Sequence, residues 1–235
     1  MAHNTTSTNE NLQVPKKEAA KKHEDGGYEI LFKGNNVDFL KTTIRHHIMS
    51  FQGRDPDRTG NDDTYRALSY SIRDALMYKW INTQKTYYAG AKNRVYYLSL
   101  EFLVGRSLTN AIINLGVEDP LLQALKELGS QLENLQACEE DAALGNGGLG
   151  RLASCFLDSI ATMKIPAYGY GILYDYGLFH QRIIDGYQVE TPDSWLRLGS
   201  PWLYERSHFM YPVQYGGRVH SYIDEKGRYR SRWVD

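Results

Sequence analysis

Cysteine is scarce: Cys138 and Cys155 are the only two in 235 residues. That excludes a disulfide-stapled scaffold, and no apolar run near the start reads as a secretory leader, so a reducing compartment is expected. Nor is there an apolar stretch of the roughly 18 residues that a bilayer-crossing helix requires. An excess of one charge is missing as well. With 27 Lys and Arg against 28 Asp and Glu, the formal net charge of −1 draws in neither nucleic acid nor an anionic membrane, and any polyanion needs a local site. Paired metal ligands are also lacking. His46 and His47, in KTTIRHHIMS, are adjacent and face different ways on a helix, so no metal site is expected.

What is present suits a globular α/β protein, because a 42% hydrophobic content is enough to bury a sizeable core. Residues 1–27 are Ser/Thr/Asn-rich and then Lys/Glu-rich, with too little apolar area to offset the entropy of ordering, so they read as a disordered polar tail. Residues 28–235 contain no repeat or low-complexity linker and are expected to form one tract.

From Thr64, the spacing of Leu68, Ile72, Ala75, Leu76 and Trp80 predicts a helix with a cap among Asn61, Asp62 and Asp63. RVYYLSLEF, at 94–102, has no polar face before Glu101 and predicts a strand covered on both sides. Leu108, Ile112 and Leu115 precede Gly116; Asp119-Pro120 then opens LLQALKELG, which Gly129 stops, so two short helices are expected with Pro120 at the first helical position. GYGILYDYGLFHQRIIDGYQVE alternates around Asp185-Gly186, a hairpin signal. RYRSRWVD at the end reads as strand-like.

Gly145-Asn146-Gly147-Gly148-Leu149-Gly150 fits G-x-G-x-x-G. A dinucleotide fingerprint also needs a strand just before the glycines and an acidic residue about 20 positions later. Here the acidic, helix-prone LENLQACEEDAAL precedes, and no Gly-Lys-Ser/Thr follows to make a P-loop. Two readings stand. One is a glycine-rich entry to the core helix that carries Leu152, Phe156, Ile160 and Met163; the other is an anion site at that helix's N-terminus.

Among other candidates, Glu139-Glu140-Asp141 reads as a solvated acidic turn rather than a general acid or base. His180, Arg182 and Arg197 are cations without an assigned role. Glu101 ends its strand where α/β folds build sites, or is simply the first exposed charge after it.

The strings VYYLSLEFLVGRSLTNAIINLG, EEDAALGNGGLGRLASCFLDSIAT, AYGYGILYDYGLFHQ and GYQVETPDSWLRLGSPW, in that order, closely resemble the N-terminal part of the glycogen phosphorylases, the α-glucan phosphorylase family. The resemblance runs from about Asn36 to Asp235. It implies an incomplete N-terminal Rossmann-like domain of the two-domain, glycosyltransferase-type phosphorylase fold. It further implies a cytoplasmic homodimer that uses pyridoxal 5′-phosphate and inorganic phosphate to release glucose 1-phosphate from non-reducing ends of α-1,4-glucan.

By position, the resemblance places Gly147 and Gly148 against the phosphates, the cofactor's included, with Asn146 and Leu149 near the sugar and Glu101 lining the same pocket. Trp80, Gln84 and Tyr88 match an AMP-binding helix face at the dimer contact, although Lys85 stands where AMP-responsive animal forms carry a second glutamine. Packing of Trp80 and Tyr88 at the dimer contact is the other reading. The family's pyridoxal-bearing lysine and second Rossmann-like domain correspond to positions beyond Asp235. A truncated first domain is therefore expected, inactive alone and prone to non-native association. A non-catalytic interaction protein that keeps the dimer surface is the alternative from another class.

Overall fold

The computed structural model describes residues 36–90, 93–212 and 215–234; the tail expected over 1–27 lies outside the described residues. The chain divides into two compact units, one ending at Trp202 and the other beginning at Leu203.

Five helices form the body of the first unit. Helix α1 (Val37–His46) is capped by Asn36, whose side chain accepts from the Phe39 N–H at 3.0 Å, and it runs into a π turn at His47–Phe51. Helix α2 (Asn61–Ala89) starts three residues before the expected Thr64. Its cap is Gly60 rather than Asn61, Asp62 or Asp63; Asp62 and Asp63 instead place negative charge in the first turn, where the helix dipole favours it. Leu68, Ile72 and Ala75 are buried as their spacing predicts, Leu76 is half-buried, and Trp80 lies outside the core.

Helix α3 (Leu108–Leu115) ends at Gly116 and helix α4 (Glu118–Glu127) just before Gly129, both glycines with positive φ. After α4, the Ser130 N–H reaches back to the Leu125 carbonyl at 2.8 Å and closes the helix end. Pro120 is the third residue of α4, not the first; it is still within the first turn, where a missing N–H costs no intrahelical bond. Helix α5 (Leu132–Gln136) completes the set. Ile44, Leu68, Ile112, Leu121, Leu125 and Leu135 meet in one dry cluster.

Strands β1 (Val95–Leu98) and β2 (Ala167–Tyr170) pair in parallel, Val95 opposite Ala167 and Leu98 opposite Tyr170, with helix α6 (Gly148–Thr162) leading into β2. The expectation of a strand over 94–102 covered on both sides is corrected. β1 is shorter, and Tyr96 and Leu98 are 54% and 76% exposed. Among the described residues two strands pair in this sheet, and the cover reaches one side, where Tyr97 meets Phe102 and Phe156 edge-on.

Strands β3 (His180–Ile184) and β4 (Tyr187–Thr191) form the expected hairpin. Asp185 and Gly186 have φ of 52° and 82°, the two positive values of the hairpin turn whose twist matches its strands.

The second unit holds an antiparallel hairpin, β5 (Arg218–Ile223) with β6 (Tyr229–Val234), so YRSRWV of the strand-like end is a paired strand. Its turn is organised by Asp224, whose carboxylate accepts from the Lys226 and Arg228 N–H groups and from both the Arg228 and Arg230 side chains. These contacts hold the Asp224 carboxyl below its ordinary range, the Arg228 N–H being the largest cause. With helices and strands mixed through the chain, the fold is α/β.

Candidate functional site

Two segments run antiparallel beside the sheet: residues 99–108, which leave β1, and residues 139–150, which enter α6. The Phe102 N–H donates to the Leu144 carbonyl at 2.7 Å, and the Leu103 N–H donates to the Gly150 carbonyl at 3.0 Å. Between them, the Glu101 carboxylate accepts from the Asn146 N–H at 3.1 Å. Glu101 and the glycine loop, far apart in sequence, are thus brought together.

The loop's four glycines do different work. A Cβ on Gly145 would sit 2.8 Å from the Leu103 nitrogen, and one on Gly150 would sit 3.1 Å from both the Leu103 nitrogen and a Glu101 carboxylate oxygen. Those two positions are glycine because the neighbouring segment passes too close for a side chain. Gly147 and Gly148 have nothing within 4 Å of such a Cβ. They face open space, and Asn146, Gly147, Gly148 and Leu149 are all exposed.

Gly147 is the N-cap of the 15-residue α6, and no side chain caps it. The first-turn N–H groups of such a helix have no intrahelical acceptor and carry the positive end of its dipole. The arrangement can therefore hold an anion close to the backbone.

The wall beside the loop is braced from residues 174–195. The Tyr174 hydroxyl donates to the Leu100 carbonyl at 2.9 Å, buried Trp195 donates its indole N–H to the Tyr174 carbonyl at 3.0 Å, and the Gly177 N–H donates to the Asp193 carbonyl at 3.0 Å. A side chain on Gly177 would collide with the Asp193 carboxylate.

Glu139, expected in a solvated acidic turn, is 3% exposed. Its carboxylate accepts from the N–H groups of Ser107 (2.7 Å) and Leu108 (3.2 Å) and from the Trp202 indole N–H (2.9 Å). The physical reason is the N-terminus of α3, which lacks a cap from its own Ser107 side chain and receives one from Glu139 instead. A signal existed: Leu132, Leu135 and Glu139 continue one buried stripe at helical spacing. Asp141, the third acid of the run, pairs with Arg106 at 3.2 Å, and Glu140 between them is exposed. Burial, with the Glu139 charge adding to it, pushes the nearby Tyr65 hydroxyl up to about 12.

Trp80, Gln84 and Tyr88 lie along one stripe of α2, spaced by single turns. Gln84 is engaged, accepting from the Tyr168 hydroxyl at 2.6 Å, while Trp80 and Tyr88 are 40% and 71% exposed and the Arg94 guanidinium stacks over the Tyr88 ring. Lys85, next to Gln84, is exposed.

His46 and His47 do turn to different partners, Ser50 and Asp74. His180 and Arg182 are exposed on β3, and Arg197 is exposed beside Leu198. Cys138 and Cys155 are free thiols. Among the described residues, no group of three His, Cys, Asp or Glu side chains is placed to hold a metal ion, and no helix is long and apolar enough to cross a membrane.

Fold and loop together define an α/β protein with a glycine-opened helix terminus braced by the Glu101 carboxylate on the facing segment. The sequence model of one family, carbohydrate phosphorylase, matches residues 125–235. Over 200 residues the chain is 48% identical to the liver form of glycogen phosphorylase from Homo sapiens, an alignment covering 85% of this chain and 23% of that protein. Identity to the glycogen phosphorylase of Chlamydia pneumoniae is 46% over 200 residues, 85% of this chain and 24% of the relative. For the glycogen phosphorylase of Synechocystis it is 47% over 201 residues, 86% of this chain and 24% of the relative. Residues 125–235 thus match the carbohydrate phosphorylase family, and the chain spans about a quarter of the length of these relatives.

Proposed function

We propose that this chain supplies the glycine-loop side of the active site of a glycogen phosphorylase. The reaction is phosphorolysis of α-1,4-glucan at its non-reducing ends, with inorganic phosphate as acceptor and glucose 1-phosphate as product. One observation carries this reading: at the uncapped N-terminus of α6, Gly147 and Gly148 leave open space where any side chain would intrude, while Gly145, Gly150 and Glu101 pin the loop from behind.

A phosphate dianion in such a site needs donors already in place, because mobile, water-exposed groups screen its charge and lose orientation. Backbone N–H groups at a helix start meet that need. Asn146 and Leu149, exposed at either side of the two glycines, would face the sugar. Glu101 holds the loop through the Asn146 N–H, and on this reading it would line the same pocket.

The donor set also fits the anionic end of pyridoxal 5′-phosphate, which Gly147 and Gly148 would flank; when bound, that cofactor supplies a second phosphate group for proton exchange. The parallel β1–β2 pair with helices in the crossover is consistent with a Rossmann-like first domain. The stripe of Trp80, Gln84 and Tyr88 suits packing in a homodimer better than a nucleotide, since Gln84 already serves Tyr168. We place the enzyme in the cytoplasm, and expect this segment not to turn over glucan by itself.

The test is glucose 1-phosphate release from glycogen and inorganic phosphate by the full-length protein and its Gly148→Val variant. A loss of about a hundredfold in the variant, typical of disabling an oxyanion-type donor site, is expected. Full activity in the variant would contradict the assignment.

A further inference from the structure

We infer that Glu139 is a positioning residue: its buried carboxylate fixes the register of the segment that presents the glycine loop. The inference rests on the loop being the anion cradle proposed above.

The antiparallel pair of segments 99–108 and 139–150 is sparsely bonded along its backbone. At the loop end stand the Phe102–Leu144 and Leu103–Gly150 bonds and the Glu101 carboxylate on the Asn146 N–H. At the middle there is one long contact, the Ala142 N–H to the Gly105 carbonyl at 3.4 Å, where Gly105 turns through a φ of 71°. Beyond it the pair is held by side chains: Arg106 bonds Asp141 at 3.2 Å and the Gln136 carbonyl at 3.3 Å, and both face solvent. Glu139 alone is buried there, and its oxygens take two backbone N–H groups of the α3 start together with the Trp202 indole.

Charge-assisted bonds away from water outweigh exposed ion pairs, which solvent screens. Glu139 and Glu101 thus act as staples at the two ends of one pair, and the loop lies beyond the second. Releasing Glu139 lets residues 140–144 slide against Gly105, and the N–H groups of Gly147 and Gly148 lose the aim that a fixed anion requires. The Glu139→Gln change retains size and one accepting oxygen in place of Oε1, but it removes the charge and puts an amide NH₂ where Oε2 accepts from the Leu108 N–H, so it weakens the staple with little change of volume.

Hydrogen exchange on the full chain tests this, comparing amides of residues 142–150 with those of residues 64–75 in α2. Glu139→Gln is expected to speed exchange in the loop about tenfold while the α2 amides stay within about twofold, and Glu139→Asp to restore part of the protection. Unchanged loop exchange, or equal acceleration everywhere, would overturn the inference. Should Glu139→Gln fail to fold, Trp202→Phe removes only the indole donor and is expected to speed the loop about threefold, with no change overturning the inference equally. Inorganic phosphate added to the wild-type chain separates the two readings. Protection confined to residues 146–150, weakened in Glu139→Gln, is the expected result; if phosphate protects nothing in the wild type, the cradle fails, while the exchange comparison still decides whether Glu139 holds the loop.

Discussion

The helical and the strand-bearing parts of the first unit treat their apolar residues in opposite ways. Around α1 to α5, Ile44, Leu68, Leu121 and Leu135 are sealed from water, each packed by helices from several directions. Around β1, β2 and α6, Leu98, Leu152, Phe156 and Met163 are 76%, 52%, 44% and 68% exposed. The first part satisfies its own burial, whereas the second displays apolar surface that the described residues do not cover. What the second part builds internally is the loop, through hydrogen bonds and glycine contacts rather than a dry core.

That contrast predicts a large gap in mutational cost. Leu68→Ala should lower unfolding free energy by about 3 kcal/mol, as deletion in a closed core does, and Leu152→Ala on α6 by about 0.5 kcal/mol or less. Urea unfolding of both variants checks this, and comparable losses would erase the distinction.

Next in size stands Glu139→Ala. Stripping the buried acceptor from Ser107, Leu108 and Trp202 should cost about 2 kcal/mol by the same measurement. A surface-like value would restore the picture of a solvated acidic turn.

The glycines sharpen the comparison inside the loop. Gly145→Ala must push back the Leu103 backbone and should cost about 1.5 kcal/mol, whereas Gly148→Ala enters open space and should leave stability within about 0.5 kcal/mol. At the hairpin turn, Gly186→Ala forces a side chain onto a φ of 82° and should cost about 1 kcal/mol, read from the melting of β3 and β4.

The smallest effect appears only in alkali. Tyr65, raised from 10.0 to about 12, binds its proton more tightly folded than unfolded. Its contribution is complete below pH 10 and is lost as pH rises from 10 through 12, so stability should fall over that window. Tyr65→Phe should flatten that fall, and an unchanged slope would place its origin elsewhere.

These residues also show what could be read without coordinates. The hairpin at Asp185-Gly186 and the buried stripe of α2 were legible because both are local: a turn with two positive φ values and a repeat of one helical turn. The loop was legible as a glycine-rich entry to a helix. Which glycines serve packing and which stand open was not, since the answer depends on Leu103 and Glu101, more than forty positions away by the numbering. Glu139 escaped for a similar reason. Its partners come from the start of α3 and from Trp202, and a run of three acids looks solvated until those donors arrive. The apolar run at β1 signalled a capacity for burial, but the two-stranded pairing supplies cover on one side only.

On the proposed function, Gly147 and Gly148 form an anion cradle for phosphorolysis rather than a mere helix entry. The most direct measurement is phosphorolysis of glycogen by the full-length protein, wild type against Gly148→Val, with the unfolding midpoint of each recorded alongside. Glucose 1-phosphate from the wild type, a fall of about a hundredfold in the variant, and an unfolding midpoint that does not move are expected on that reading. Equal turnover in the two proteins, or a loss that tracks unfolding alone, would contradict it.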